Sequence, residues 1–560
     1  MAAVGTDLEL SDLTKQLCKL TDPASAEAPP IIKSIRHLLR SGRPFLDLRA
    51  SPKLPDGKYR NVQSPPAFHA IRNLRTLTDV VVLPQHWLTP LLEPIHACLR
   101  EIWFSLVPWI EYVHPMHHVG TRRQVQILPV TLTRFFFSLF PMKAAISDLL
   151  EQTPQMYGML FDLWLHLDVY LAGSDRSSHL FDFVNWLGNV ILYFAVWIGG
   201  EYQASLALEY VDGVAIEGAR WIVKDRPRAF YRLVVAHARR LLDALPDAEN
   251  QGQLLSFMAK QIRVLTIFTD PLLPIPCMPR DVVLDLVSIL RKLQPLASAH
   301  VTAVDVCVAL HAIWQTAEDA RSLLWALRAG VLPLIIALDR EESLRGTSAC
   351  LRFVAASTSD VGVARAMPVV DWHGVLPDGM KYALQERLQL ARATYRKVCA
   401  YDKCPKNKEE GCASIRRCPC LSVCYCSSEC QTRDWPWHRD THYADMSLYH
   451  IRGNLCPLNA HFLTICGRQY LQENDEEIQD GITQVLTLDG GSLLDTISCV
   501  VVEINLGQLP PVHQTMYGPP NAMHTKRIVV TACARGAGMM DPAVMVQSVP
   551  MPRLATVAGG

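Results

Sequence analysis

The chain has no surplus of charge: 54 lysines and arginines face 54 aspartates and glutamates over 560 residues. A dedicated nucleic-acid binder normally carries a basic surplus or stripe, so direct contact with nucleic acid is not expected. Charged residues are scarce, 19% against 49% hydrophobic, which excludes a chain disordered throughout and allows a large buried core. Residues 1–7 lack a basic segment ahead of an apolar run, so no signal peptide is expected and the location expected is intracellular, cytoplasmic or nuclear. Long uncharged runs are rare as well. Residues 183–200 reach the lower edge of spanning length, but Asn185, Asn189, Gly199 and Gly200 interrupt them and no basic residues flank them. A buried helix is expected there, with no membrane contact. No Ser/His/Asp grouping or paired carboxylates can be argued from their order in the chain, so no catalytic residue is assigned.

What is present is helix-forming sequence. Residues 1–398 read as helix after helix with short breaks. Met380, Leu384, Leu388, Ala391, Tyr395 and Val398 recur at spacings of three and four, leaving Lys381, Glu386, Arg387, Arg392 and Arg396 on the outer face. Residues 321–329 form another amphipathic stretch, ended by Gly330, with Pro333 in the first turn of the next helix. Residues 326–338 resemble the turn between helices of an armadillo repeat, with a fainter echo at residues 38–46. The fold class expected is mainly α, an irregular α-solenoid or a helical bundle. Residues 443–560 read as a small α/β region with a loose tail: a helix at 458–471, a strand at 499–506, a helix at 524–534 and a strand at 543–549.

Cysteine supplies the specific signal. Eight of the 17 cysteines fall between Cys399 and Cys430. In a chain expected to keep its thiols reduced, such density points to metal rather than to disulfides. A structural zinc needs four thiolate or imidazole ligands, supplied as close pairs so that each pair anchors from one turn. Four pairs are available: Cys399/Cys404, Cys418/Cys420, Cys426/Cys430 and His438/His442. The last two have the i, i+4 spacing that puts both ligands on one helix face. The scattered thiols Cys18, Cys98, Cys277, Cys307 and Cys350 read as small buried hydrophobes.

The order Tyr425-Cys426, Cys430-Gln431, Asp434-Trp435, His438 and a ligand four residues on resembles the second half of a MYND-type zinc finger. The layout, a long helical region ahead of the finger and a short α/β tail behind it, resembles the MYND-domain proteins of mushroom-forming fungi. The resemblance implies two interleaved structural zinc ions. Cys399, Cys404, Cys426 and Cys430 would hold one, and Cys418, Cys420, His438 and His442 the other. It also implies a protein–protein interaction role, with Gln431 and Trp435 bordering a groove for proline-containing peptides. An exposed Trp beside a Gln suits that task, as an apolar plate and an amide; the alternative is that Trp435 is core of a tiny domain. This sequence departs from the family in its four-residue gap within the first pair, in Cys-x-Cys for the second, and in His442 where cysteine is usual. Cys412 or Cys424 is therefore an alternative to Cys418. Residues 399–442 carry seven basic and six acidic side chains, so the finger is no electrostatic clamp for phosphates.

Two rival readings exist. A SET-and-MYND-type lysine methyltransferase would need a glycine-rich cofactor segment before Cys399, and none is present; residues 453–459 are a distant echo of its later motif. A transcriptional regulator recruited by protein contacts is the other. His114, His117 and His118 form a weak chelating group read as a solvated loop, and residues 271–279 read as a linker between helices.

Overall fold

Prolines at 271, 274, 276 and 279 deny a helix the N–H groups it needs. At this point the chain, seen in a computed structural model, divides into two units, Met1–Ile275 and Pro276–Gly560. The structure describes residues 4–550 except 21, 23, 42, 50–51, 53–64, 118–126, 140–141, 172–185, 192–212, 225, 246–250, 270–274, 276, 343–344, 395–398, 405–415, 419–422, 449–450, 453–456, 488–498, 519–526 and 534–542. The fold is mainly helical with a small sheet. Most of the uncharged run at 183–200 lies outside the described residues. Among the described residues, Ala297–Thr316 is long and apolar enough to cross a membrane, and half of that window is buried inside the protein.

The first unit is helical throughout its described length. Its core is aromatic: Phe161, Phe230 and Phe268 join the helices Gln155–Leu165, Pro227–Asp243 and Gln251–Thr269, with ring centroids 5.0–5.8 Å apart. Such edge and tilted pairs contribute about 0.5–1.5 kcal/mol each beyond area burial. One crossing is closed by glycines. Helix Gly213–Val223 presses Gly218 against Tyr157 and Gly158 of Gln155–Leu165, and a Cβ on Gly218 would sit 2.8 Å from the Gly158 backbone nitrogen. The solvated-loop reading of His114 is overturned. Its ring is fully buried, 3.0 Å from the Met159 carbonyl and 3.7 Å from the Asp162 carboxylate. Asp162 also accepts from the Tyr170 hydroxyl at 2.5 Å. A buried imidazole is tolerated here because the helix behind it supplies both partners. His118 lies outside the described residues. Cys18, expected to be buried, is exposed.

In the second unit the helices Arg280–Leu293, His300–Thr316, Arg321–Arg328, Val331–Glu342 and Arg345–Ala356 pack pairwise. Gly330 takes a φ of +81° between the third and fourth of these, a left-handed turn that a side chain would strain, and so ends the helix where the sequence placed its end. His311 packs its ring against Phe353 at 5.3 Å, and burial pushes its imidazole down to about 4. The unfolded chain takes up a proton near pH 6.5 that the folded chain refuses until about pH 4, so stability is lost as pH falls through that window. We expect His311→Gln to remove up to about 2 kcal/mol of this loss, after allowance for solvent screening at a half-buried ring. Urea midpoints at pH 7 and pH 4.5 for both chains check it; equal drops would refute the assignment.

The remaining elements form a five-stranded sheet of order β3-β7-β6-β4-β5, where β3 is Ile451–Arg452, β4 Cys499–Asn505, β5 Val512–Gly518, β6 Arg527–Cys533 and β7 Ala543–Pro550. β4 and β6 run parallel; the other neighbours are antiparallel. Where a helix is expected over 524–534, the described residues Arg527–Cys533 form a strand. Ile528, Val529, Val530 and Thr531 are β-branched, and Ile528, Val530 and Ala532 alternate into the core. Helices Pro457–Glu473 and Asp475–Thr487 pack on this sheet.

The sequence places a domain boundary near residue 398, and contacts within the second unit span that position. The backbone N–H of Val361 donates to Asn459 Oδ1 at 3.0 Å, and Asn459 Nδ2 donates to Asp360 Oδ2. Arg387, expected on the outer face of its helix, is buried at 4% exposure. It donates to the carbonyls of Ala356 and Gln508, because the segment after β4 closes over that face.

Candidate metal centre

The centre is assembled from three short pieces. At Cys404 the chain turns back, its N–H donating to the Tyr401 carbonyl at 2.9 Å, while Ala400 N–H donates to the Cys424 carbonyl at 2.7 Å. These bonds hang the 399–404 turn on a two-stranded ribbon, β1 (Arg416–Arg417) and β2 (Cys424–Tyr425), paired antiparallel. Helix Ser428–Leu448 follows at once. Ser427 caps it, its hydroxyl accepting from the Cys430 N–H at 3.2 Å. Cys426 therefore precedes the helix and Cys430 lies in its first turn. The pair straddles the helix start instead of lying on one helical face.

Cys399, Cys404, Cys426 and Cys430 bring their sulfurs within 4.8 Å of one another. Cys426 Sγ stands 3.5 Å from Cys404 Sγ and 3.6 Å from Cys430 Sγ. A disulfide needs about 2.05 Å. A tetrahedron with metal–sulfur bonds of about 2.3 Å needs edges of about 3.8 Å, so the sulfurs are close enough to hold a metal ion. Burial pushes the Cys399 thiol up to about 12 and also raises that of Cys430. A cation is what would turn such thiols into thiolates, so metal uptake must release protons and must weaken as pH falls.

The second expected ligand set is described only in part. Cys418, just after β1, is buried, with its N–H donating to the Val423 carbonyl at 3.0 Å. His438 is buried in helix Ser428–Leu448, its ring 6.2 Å from that of Tyr425 and 6.1 Å from that of Trp435. Cys420 and Cys412 lie outside the described residues, as does the side chain of His442, whose backbone falls one turn beyond His438. Cys424 is half-buried in β2 and stands outside the four-sulfur cluster.

Tyr425 and Asp434, which the sequence shows only as members of a motif, brace the cysteine cluster. Tyr425 is fully buried among the cysteines, and its hydroxyl donates to Asp434 Oδ2 at 2.7 Å, tying β2 to the helix. Gln431 and Trp435 occupy successive turns of that helix and are both half-buried, not exposed. The exposed aromatic is Trp437, at 77%, which spacing did not single out. Comparison of the chain with protein-family models, with curated proteins and with solved structures returned no match, so neither the cysteine cluster nor the sheet takes a family from a relative.

Proposed function

We propose that residues 399–442 are a MYND-type zinc finger and that the protein is a non-enzymatic adaptor using it to hold a partner's proline-containing segment. Cys399, Cys404, Cys426 and Cys430 hold one zinc ion; Cys418, Cys420, His438 and His442 hold a second. The helical region ahead of the finger serves as an armadillo-like scaffold. The observation that carries the reading is the four-sulfur cluster, donated as one pair from a turn and one pair from a helix start. Four thiolates in a tetrahedron suit zinc, and with every position filled by protein the ion stabilises the fold and leaves no place for substrate.

Gln431 and Trp435 give the partner an amide and an apolar plate on one helical stripe. Trp435 touches the ring of His438, so the plate is fixed by the metal-binding helix itself. Trp435→Ala is expected to keep both zinc ions yet weaken a proline-containing peptide by more than about 1 kcal/mol, roughly fivefold or more. A peptide array followed by titration checks this, with Trp437→Ala alongside. Loss of binding in Trp437→Ala alone would move the anchor to the exposed ring. Micromolar binding of S-adenosylmethionine, with no peptide sensitive to Trp435, would return the methyltransferase reading.

A further inference from the structure

Away from the cysteine cluster, the second unit contains a cleft of about 650 Å³ between helix Asp378–Thr394, helices Pro457–Glu473 and Asp475–Thr487, and the turn after β4. That volume lies in the range of small-molecule and peptide-end sites. Charge in it is segregated. Arg387 is its single arginine or lysine, while Glu386, Glu473 and Glu477 line it elsewhere.

Arg387 is the unusual member. A guanidinium has five N–H donors and is rarely buried without an anion. Here two contacts are made, at 3.4 and 3.3 Å, both to neutral carbonyls. No carboxylate pairs with it among the described residues, and burial lowers its pKa, the sign of a cation lacking a full counter-charge. The Ala356 carbonyl ends helix Arg345–Ala356 and so offers only the partial negative charge of a helix terminus. The walls have the opposite character. Tyr382 is 64% exposed, its hydroxyl hydrogen-bonded to Glu386 and within the field of Glu473. Tyr470 is held by His513 at 3.0 Å and feels Glu477. An aromatic face flanked by carboxylates attracts an organic cation.

We propose that this cleft binds a ligand carrying one carboxylate and one cationic side chain, the carboxylate on Arg387 and the cation against Tyr382, Glu386 and Glu473. Two sources offer that chemistry, the C-terminus of a peptide ending in lysine or arginine, and the free basic amino acid. A polyanion such as a nucleotide is disfavoured by the three glutamates, and a simple cation leaves Arg387 unmatched.

The test is calorimetric titration of the full-length chain with Gly-Gly-Lys, its C-terminal amide, Gly-Gly-norleucine and free L-lysine. Saturable binding of the acid is expected, weakened about tenfold or more by amidation, since a charge-assisted hydrogen bond is lost. A similar loss is expected for Gly-Gly-norleucine and for the Glu386→Gln/Glu473→Gln chain. Arg387→Met is expected to abolish binding; should that variant unfold, the comparison of acid with amide still decides. Lysine equal to the tripeptide assigns the site to free amino acids, and a preference for the tripeptide assigns it to peptide ends; either result supports the proposal. No saturable heat from either carboxylate probe up to about 10 mM overturns it, as does an amide that binds as well as the acid.

Discussion

On the proposed ligand assignment, replacing Cys426 with alanine is expected to release the metal from the four-cysteine cluster and to melt residues 399–442 while most helical signal survives. Cys426 Sγ lies 3.5 Å from Cys404 Sγ and 3.6 Å from Cys430 Sγ, so its loss opens the tetrahedron on those two edges. Three remaining thiols, Cys399 among them held high by burial, compete poorly for metal. Zinc binding in isolated fingers supplies about 10–16 kcal/mol of apparent folding free energy at neutral pH, so the local loss is complete. The helices elsewhere keep their cores. The Phe161–Phe230–Phe268 cluster belongs to a separate unit, and Leu384, Leu388 and Ala391 are buried without help from any of the four cysteines. Native mass spectrometry and circular dichroism read the two halves of this expectation. Unchanged metal content would dissolve the ligand assignment; collapse of the whole helical signal would make the finger part of the main fold. Acidification should mimic the variant, with protons displacing metal as pH falls.

The second large effect is expected at Gly218. Changing it to valine inserts three carbons where even a Cβ meets the Cβ of Tyr157, the Gly158 nitrogen at 2.8 Å and the Tyr157 carbonyl carbon at 3.0 Å. These are backbone atoms and a fixed Cβ, so no rotamer change relieves the contact, and the helices must part. Overpacking of this kind costs about 3 kcal/mol. A drop of that size in chemical-denaturation stability, with metal content unchanged, is the expected result. A change below about 0.5 kcal/mol would show that the crossing is not this close.

The parts of the fold that were legible in sequence are those where one local rule decides. Gly330 ends a helix because its φ is positive, and β4, β7 and the helix at 457–473 follow their composition. The reading of 524–534 as a helix failed on partner choice. Ile528, Val529 and Val530 become a strand because β4 and β7 flank them, and that pairing is non-local. β5, with His513, Gln514 and Thr515 at its centre, is too polar to announce itself and exists because β4 pairs with it. Arg387 and His114 failed for one shared reason. A polar side chain, whether on the outer face of a helix like Arg387 or in an apparent loop like His114, is assigned to solvent unless the segment that covers it is known, and both covers come from elsewhere in the chain. In the candidate centre, spacing supplied the pairs, and the resemblance to an interleaved finger supplied the grouping of the four cysteines that the structure brings together. Neither foresaw that Cys426 precedes its helix, or that Trp437 rather than Trp435 is the exposed ring.

The placement of β3 sets an order of assembly during synthesis. The four sulfurs are all present once Cys430 has been made, and the finger helix ends at Leu448. β3 begins three residues later, yet its partners are Val544 and Ala543 of β7. The ribosome must add some ninety more residues before Ile451 has a strand to join, an interval of about 5–20 s at ordinary elongation rates. Through that interval the nascent chain can offer a complete cluster of thiols to the cell's metal pool, while the edge that will anchor the exit of the finger stands unpaired. Chain elongation therefore completes the thiol cluster well before it completes the sheet, and the four sulfurs stand open to a metal ion while β3 still lacks its partner.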